Sequence, residues 1–217
     1  MEEILILHLK GMEVMSRKPN LIFLCGKSGS GKSYEFNLLY NRYYKHLDKI
    51  NFLTVNTTRP PRLEDMETMD YNFCLKKDFD KEEYLVKKGF STGEGLHWQY
   101  WSYGLPKSSI DPDKINIGIL DPESILEIKK MDQFNLKVFY ISAHPQLRLE
   151  RSFRRADSTR AYSEICRRFL ADEKDFKVLD QLDYTIINNS YTEENNHNYY
   201  LIYNYIDQLL ADMGNMS

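Results

Sequence analysis

The sequence predicts an α/β fold: a parallel sheet flanked by helices, with a small α+β insertion. Three observations carry that reading. Apolar, strand-like runs alternate with amphipathic helical stretches, the pattern that builds a parallel sheet with helices on both faces. The first such run, Asn20–Cys25, is almost wholly apolar, as a strand covered on both faces must be. That run leads directly into Gly26-Lys27-Ser28-Gly29-Ser30-Gly31-Lys32-Ser33, a glycine-rich turn that opens a helix.

Taken in order, Lys32–Tyr44 has the apolar spacing of a helix, and Asn51–Val55 reads as a second short strand. Pro60 and Pro61 exclude residues 56–62 from a helix interior or a central strand. Tyr71–Leu75 is strand-like. Lys77–Lys88 reads as a helix with Phe79, Tyr84, Leu85 and Val86 as its apolar residues and Gly89 as its stop. Phe90–Tyr103, rich in glycine and aromatics, reads as two short strands. Regular alternation then resumes. Ile115–Leu120 is a strand ending at Asp121, and Glu123–Lys130 a helix with Pro122 in its first turn. Lys137–Ile141 is a strand, Pro145–Arg155 a helix, 154–160 a basic connection and Tyr162–Leu179 a long amphipathic helix. Tyr184–Ile187 is the last strand. Leu201, Ile202, Tyr205, Ile206, Leu209 and Leu210 then share one helical face. The expected organisation is an N-terminal extension at 1–19, a core at 20–55 and 105–217 with a lid near 154–162, and an insertion at 56–104. A natural start at Met12 or Met15 is an alternative for the extension.

The loop Gly26–Ser33 has the pattern G-x-x-x-x-G-K-[ST] between a strand and a helix, that of a phosphate-binding P-loop. Glycines let the backbone curl around an anion with its N–H groups inward, and the helix start adds partial positive charge. Gly26, Ser28, Gly29, Ser30 and Gly31 form this cradle. Lys32 reaches the β- and γ-phosphates, and the Ser33 hydroxyl binds Mg²⁺. The expected ligand is a nucleoside triphosphate.

The chain has 217 residues, enough for one α/β domain with insertions. Its 42% hydrophobic and 28% charged content is that of a folded globular chain, and its formal charge of −3 argues against nucleic acid or anionic membrane as partners. No apolar run approaches the roughly 20 residues of a membrane span. The three cysteines, Cys25, Cys74 and Cys166, lack metal-ligand spacing and argue against a disulfide framework, so a cytoplasmic setting is expected.

At Thr57-Thr58-Arg59-Pro60-Pro61-Arg62 the chain resembles the guanylate kinase family, nucleoside monophosphate kinases that pass a phosphoryl group from ATP to GMP. The resemblance runs from Leu21 to about Leu210. It comprises the P-loop, the T-T-R-x-P-R segment, Asp70-Tyr71-Asn72-Phe73, an aromatic Tyr103-Gly104, the strand end at Leu120-Asp121, a basic lid, a helix with paired arginines, and Asp183–Asn188. It implies a P-loop kinase fold in which 56–104 binds the nucleoside monophosphate, with ATP and Mg²⁺ as donor and cofactor, GMP or dGMP as acceptor, and a monomer or homodimer.

By the same resemblance, Arg59, Arg62, Tyr71 and Tyr103 hold the acceptor phosphate. A dianion suits guanidinium forks and phenolic hydroxyls. A solvated arginine loop and an aromatic insertion core are the alternatives. Asp121 takes the magnesium or water contact expected at a strand end, though Asp121-Pro122-Glu123 is also a good helix start. Glu123 follows as an acceptor contact. Arg168 matches the arginine of the helix after the lid, and Arg155 is the nearest match to the lid arginine, with Arg154 and Arg160 as alternatives. Arg151 and Arg167 belong to the same basic cluster.

The departures lie where the base is read. The family has hydroxyl side chains where this chain has Val55 and Leu105. Glu94, nine residues before Tyr103, falls at the spacing of the family's guanine-binding acid, and Asp65 matches the acid after the arginine segment. Two further readings therefore stay open. One is a kinase of the same scaffold acting on another phosphorylated small acceptor. The other is a non-catalytic guanylate kinase-like binding module, against which the retained Lys32, Ser33 and Asp121 argue.

Overall fold

The computed structural model describes residues 18–61, 69–92, 99–155, 159–189 and 198–215. Residues 1–17 of the predicted extension, residues 62–68 of the stretch after Arg59 and the centre of the lid (156–158) lie outside them.

Five strands form one wholly parallel sheet: β1 (Asn20–Cys25), β2 (Ile50–Phe52), β7 (Ile115–Ile119), β8 (Asn135–Ser142) and β9 (Tyr184–Asn188), in the order β2-β7-β1-β8-β9. Central β1 is buried at every position, and its alternating side chains feed two cores. Ile22 and Leu24 pack with Phe36 and Leu39 of α1 (Lys32–Tyr43) and with Ile202, Ile206 and Leu209 of α6 (Tyr200–Gly214). Leu21, Phe23 and Cys25 face the other way, against Ile125 and Ile128 of α3 (Pro122–Met131) and against Leu179 and Leu182. A strand that must satisfy both faces has no room for polar alternation, which explains its composition.

The remaining strands form a second sheet in the order β4-β3-β6-β5: β3 (Val55–Thr57), β4 (Tyr71–Phe73), β5 (Tyr84–Thr92) and β6 (Gln99–Pro106). β3 runs parallel to β4 and antiparallel to β6, which pairs antiparallel with β5. The expected single strand Asn51–Val55 is therefore two. The Leu53 amide still bonds Ile117 of the large sheet at 2.7 Å, whereas the Val55 amide bonds Asp70 at 3.1 Å. The chain changes sheets over two residues. Val55, Val86 and Leu105 of the small sheet sit in the same core as Phe23 and Ile125, so the two sheets share one apolar interior.

The expected helix Lys77–Lys88 is also corrected. Only Lys76–Phe79 is helical (α2), and Tyr84–Thr92 is a strand. Phe79 stacks on Tyr84 at 4.4 Å and closes the turn between them. Contiguous Tyr84-Leu85-Val86 fits no helical stripe, and pairing with β6 supplies the backbone bonds instead. Gly89, expected as a helix stop, lies mid-strand where a Cβ would meet the Tyr100 ring at 2.2 Å. Its role is close packing, not termination.

The other helices follow expectation closely. These are α3, α4 (Pro145–Arg154) and α5 (Thr159–Asp175), the last continued by a 3₁₀ turn at Phe176–Gln181.

Candidate active site

The loop from Gly26 to Ser33 joins the C-terminal end of β1 to the N-terminus of α1. Gly29 and Gly31 hold φ of 77° and 96°, the left-handed region that L side chains avoid. A Cβ on Gly31 would lie 2.0 Å from Asn189 Nδ2, so this turn also requires glycine for space.

The loop is clamped from outside by side chains that, apart from Arg151 of the basic cluster, sequence reasoning passed over. Arg148 of α4, only 3% exposed, donates from Nε to the Ser28 carbonyl at 2.9 Å and from Nη2 to Asp172 at 2.9 Å. Asp172 of α5 accepts from the Ser28 amide at 2.7 Å, and Lys27 pairs with Glu173 at 2.7 Å. Arg151 donates to the Gly29 and Ser30 carbonyls at 3.3 Å, and Asn189 Nδ2 donates to the Ser30 carbonyl at 2.6 Å. Arg148 and Asp172 carried only a faint signal: a charged residue at an apolar-facing position on each of two neighbouring helices.

Gly29, Gly31, Lys32, Ser33, Tyr34, Arg151, Arg154, Arg155 and Asn189 line a cleft of about 390 Å³. Burial pulls Lys32 below its ordinary pKa; Asp70 and Asp172 oppose that, and the positive charge of Arg155 adds to it. Arg155 and Lys32 thus line one cleft, with the Arg155 Nε donating to the Arg151 carbonyl at 3.1 Å. Arg168 bonds through Nε to Glu164 at 3.0 Å within its own helix, and Glu164 also accepts from Arg167 at 2.7 Å. The Tyr103 phenol acts electrostatically on Arg167, so α5 overlooks the small sheet. The Arg160 side chain lies outside the described residues.

Asp121 stands at the end of β7, next to β1. Burial pushes the Cys25 thiol up to about 12, an effect opposed by Lys32 and reinforced by Asp121, so both charges surround the strand end where the loop begins. Asp121 also caps α3, accepting from the Ser124 amide at 3.2 Å and from its hydroxyl at 2.6 Å. The helix-start reading of its sequence context is therefore the one seen in these contacts. Lys88 of β5 bonds Glu123 and approaches Asp121 Oδ1 at 3.4 Å. This contact was not foreseen, because it depends on β5 being a strand.

Three of the expected acceptor-phosphate residues come together. The Arg59 guanidinium, 4% exposed as a residue, lies 5.3 Å above the Tyr71 ring, and Tyr71 packs edge-on against Tyr103 at 5.8 Å. Arg62, Asp65 and Glu94 lie outside the described residues. The flanking pair Thr92–Gln99 sits four rungs beyond Lys88–Tyr103, or about 14 Å along the hairpin. The strand residue opposite Leu105 is Val86.

Asp70, buried beside Tyr71, joins the halves: the Ser33 hydroxyl donates to its carboxylate. Among the described residues no cluster of three His, Cys, Asp or Glu side chains could hold a metal ion. Mg²⁺ on a triphosphate needs no such cage, since it takes one or two protein oxygens, phosphate oxygens and water. The hard oxygen donors of Ser33, Asp70 and Asp121 around the loop suit that demand.

A P-loop at the end of a parallel sheet, its cleft lined by Lys32, Arg151, Arg154 and Arg155, is the arrangement of a phosphotransferase of the P-loop kinase class. No family model matches the chain. It is 27% identical to a guanylate kinase of Helicobacter pylori (strain J99) over 181 residues, covering 80% of this chain and 82% of that one. A guanylate kinase of Thermotoga maritima is 28% identical over 182 residues (79% and 80%), and one of Wolbachia sp. subsp. Brugia malayi 29% over 178 residues (77% and 84%). The crystal structure of guanylate kinase from Anaplasma phagocytophilum shares the fold, with a TM-score of 0.50 at 17% identity over 91% of this chain and 86% of that one. The chain is thus similar to these guanylate kinases over about four-fifths of its length.

Proposed function

We propose that this protein transfers the γ-phosphoryl group of ATP to GMP or dGMP. The observation that carries the reading is Asp70. It directly precedes Tyr71 of the acceptor pocket and accepts the hydroxyl of Ser33 in the donor loop, so the two halves adjoin at one carboxylate. The kinship with guanylate kinases supports GMP as acceptor.

The acceptor phosphate is already ionised, so the reaction needs position and charge neutralisation more than a general base. Loop amides and Lys32 hold the donor phosphates. Arg59, Tyr71 and Tyr103, with Arg62, hold the acceptor phosphate facing them. Arg155 and Arg168 meet the charge that spreads over the transferring group, a contribution of about 10³-fold or more. Ser33, and Asp121 through water, would hold Mg²⁺, which would supply positive charge against the charge that develops on the phosphates. Burial lowers the Lys32 pKa while the Asp70 and Asp172 charges oppose that, and its buried position leaves little competing water at the phosphates. Among the described residues no helix is long and apolar enough to cross a membrane. We infer a cytoplasmic setting, in keeping with three cysteines that form no disulfide.

A coupled assay with GMP, dGMP, AMP, UMP and CMP tests this. Turnover confined to GMP and dGMP is expected. Turnover with none of the five overturns it, and turnover only with a non-nucleotide phosphate would favour a different acceptor on the same scaffold.

A further inference from the structure

Lys88 stands where the small sheet meets the core. It lies on β5 directly opposite Tyr103 of β6, and residues opposed in an antiparallel pair share a face. Phe90, two positions on, shares that face too. The Lys88 ammonium lies 5.1 Å from the Phe90 ring centre, and Phe90 meets Tyr103 edge-on at 5.4 Å. From this aromatic floor the ammonium crosses to α3, where it bonds Glu123 and approaches Asp121. Asp175 of α5 also feels the group: burial raises its pKa and the Lys88 charge opposes that.

The rest of the face is apolar at this level. Val86 stands opposite Leu105, and both are buried in the core with Val55, so these three offer no polar atom to a ligand. Arg59 follows β3, two strand spacings from β5, a separation on the order of 10 Å and the scale of a mononucleotide. Tyr103 of the phosphate grip stands between them on β6, so a nucleotide whose phosphate rests on Arg59, Tyr71 and Tyr103 lies along the face that Lys88 and Glu123 border.

We propose that Lys88, held against Glu123, selects the acceptor base by donating to the O6 and N7 acceptors of guanine while Glu123 accepts from a guanine N–H. Guanine presents two acceptors on that edge, whereas adenine replaces O6 with an amino donor. An ammonium, which only donates, serves the first and is unmatched by the second. The pair takes over a task that Val55, Val86 and Leu105 cannot perform. This inference rests on the GMP reading above.

The test is steady-state kinetics of Lys88→Met and Lys88→Arg with GMP, inosine monophosphate and AMP at saturating Mg-ATP. Inosine monophosphate keeps O6 and N7 and lacks the 2-amino group. Lys88→Met is expected to lower kcat/KM for GMP and inosine monophosphate by about 10- to 100-fold, through KM, while AMP and the KM for ATP move less than about twofold. Lys88→Arg should restore most of the loss. An unchanged GMP-to-AMP ratio in Lys88→Met overturns the inference, and so does a KM for ATP that rises in step with that for GMP. Wild-type turnover of GMP is the separate control: if it is absent, the acceptor reading itself falls and the inference with it.

Discussion

Glu35 shows how much chemistry one buried side chain can hold. It sits in the first turn of α1, fully buried, with Oε1 accepting from the Tyr203 hydroxyl at 3.1 Å. Oε2 is buried with no hydrogen-bond partner among the described residues. Burial raises its pKa from 4.5 to about 7, opposed by the Tyr203 bond. The sign follows from linkage. Between the two values the unfolded chain has lost this proton and the folded chain keeps it, so stability falls as pH rises from 4.5 to about 7. The full span corresponds to about 3 kcal/mol. Glu35→Gln keeps the Tyr203 contact and cannot ionise. Urea denaturation at several pH values should show its stability, relative to wild type, rising by about 3 kcal/mol between pH 4.5 and pH 8. A constant difference across that range would mean Glu35 ionises normally in the folded state.

At the scale of elements, the donor loop depends on helices far away in sequence. Its own glycines permit the curl, and Arg148 with Asp172 fixes it. The guanidinium lies 4.7 Å from the Phe169 ring centre and bonds Ser28 and Asp172 with almost no exposure. Arg148→Met keeps the aliphatic volume and strands the half-buried carboxylate, which should cost about 3–5 kcal/mol in denaturant unfolding. The double variant Arg148→Met/Asp172→Asn should cost less than the sum of the single variants, because neither then leaves a charge unpaired. Simple additivity would show that the two residues act independently. The loop itself was legible in sequence because its chemistry is contiguous: Gly26 to Ser33 carries spacing, φ demands and cation in eight residues. The clamp was not, because Arg148 and Asp172 meet only after α4 and α5 pack. The misread helix at Lys77–Lys88 has the same cause. Its charged residues have adequate helix propensity, and only β6, pairing rung by rung from Pro106 to Gln99, decides for a strand.

At the scale of the whole molecule, the small sheet is fused to the core through Val55, Val86 and Leu105, and Asp70 beside it bonds Ser33 of the P-loop. Tyr71 and Arg59 were readable in advance from their short motifs, whereas the bond from Ser33 to Asp70 joins residues 37 apart and required the fold. That junction makes the two substrates interdependent. Each ligand that binds only the folded state stabilises it, by about 2.7 kcal/mol at a hundredfold excess over Kd. For a chain of this size that is a rise of roughly 5–10 °C in Tm. A non-hydrolysable ATP analogue with Mg²⁺ and GMP should each raise Tm. Together they should raise it by more than the sum, since ordering Ser33 and Asp70 for one ligand spares that cost for the other. Lys32→Ala should abolish the analogue's shift and the excess while keeping the shift with GMP alone. A strictly additive pair of shifts in the wild type would show that the halves bind independently despite their shared carboxylate.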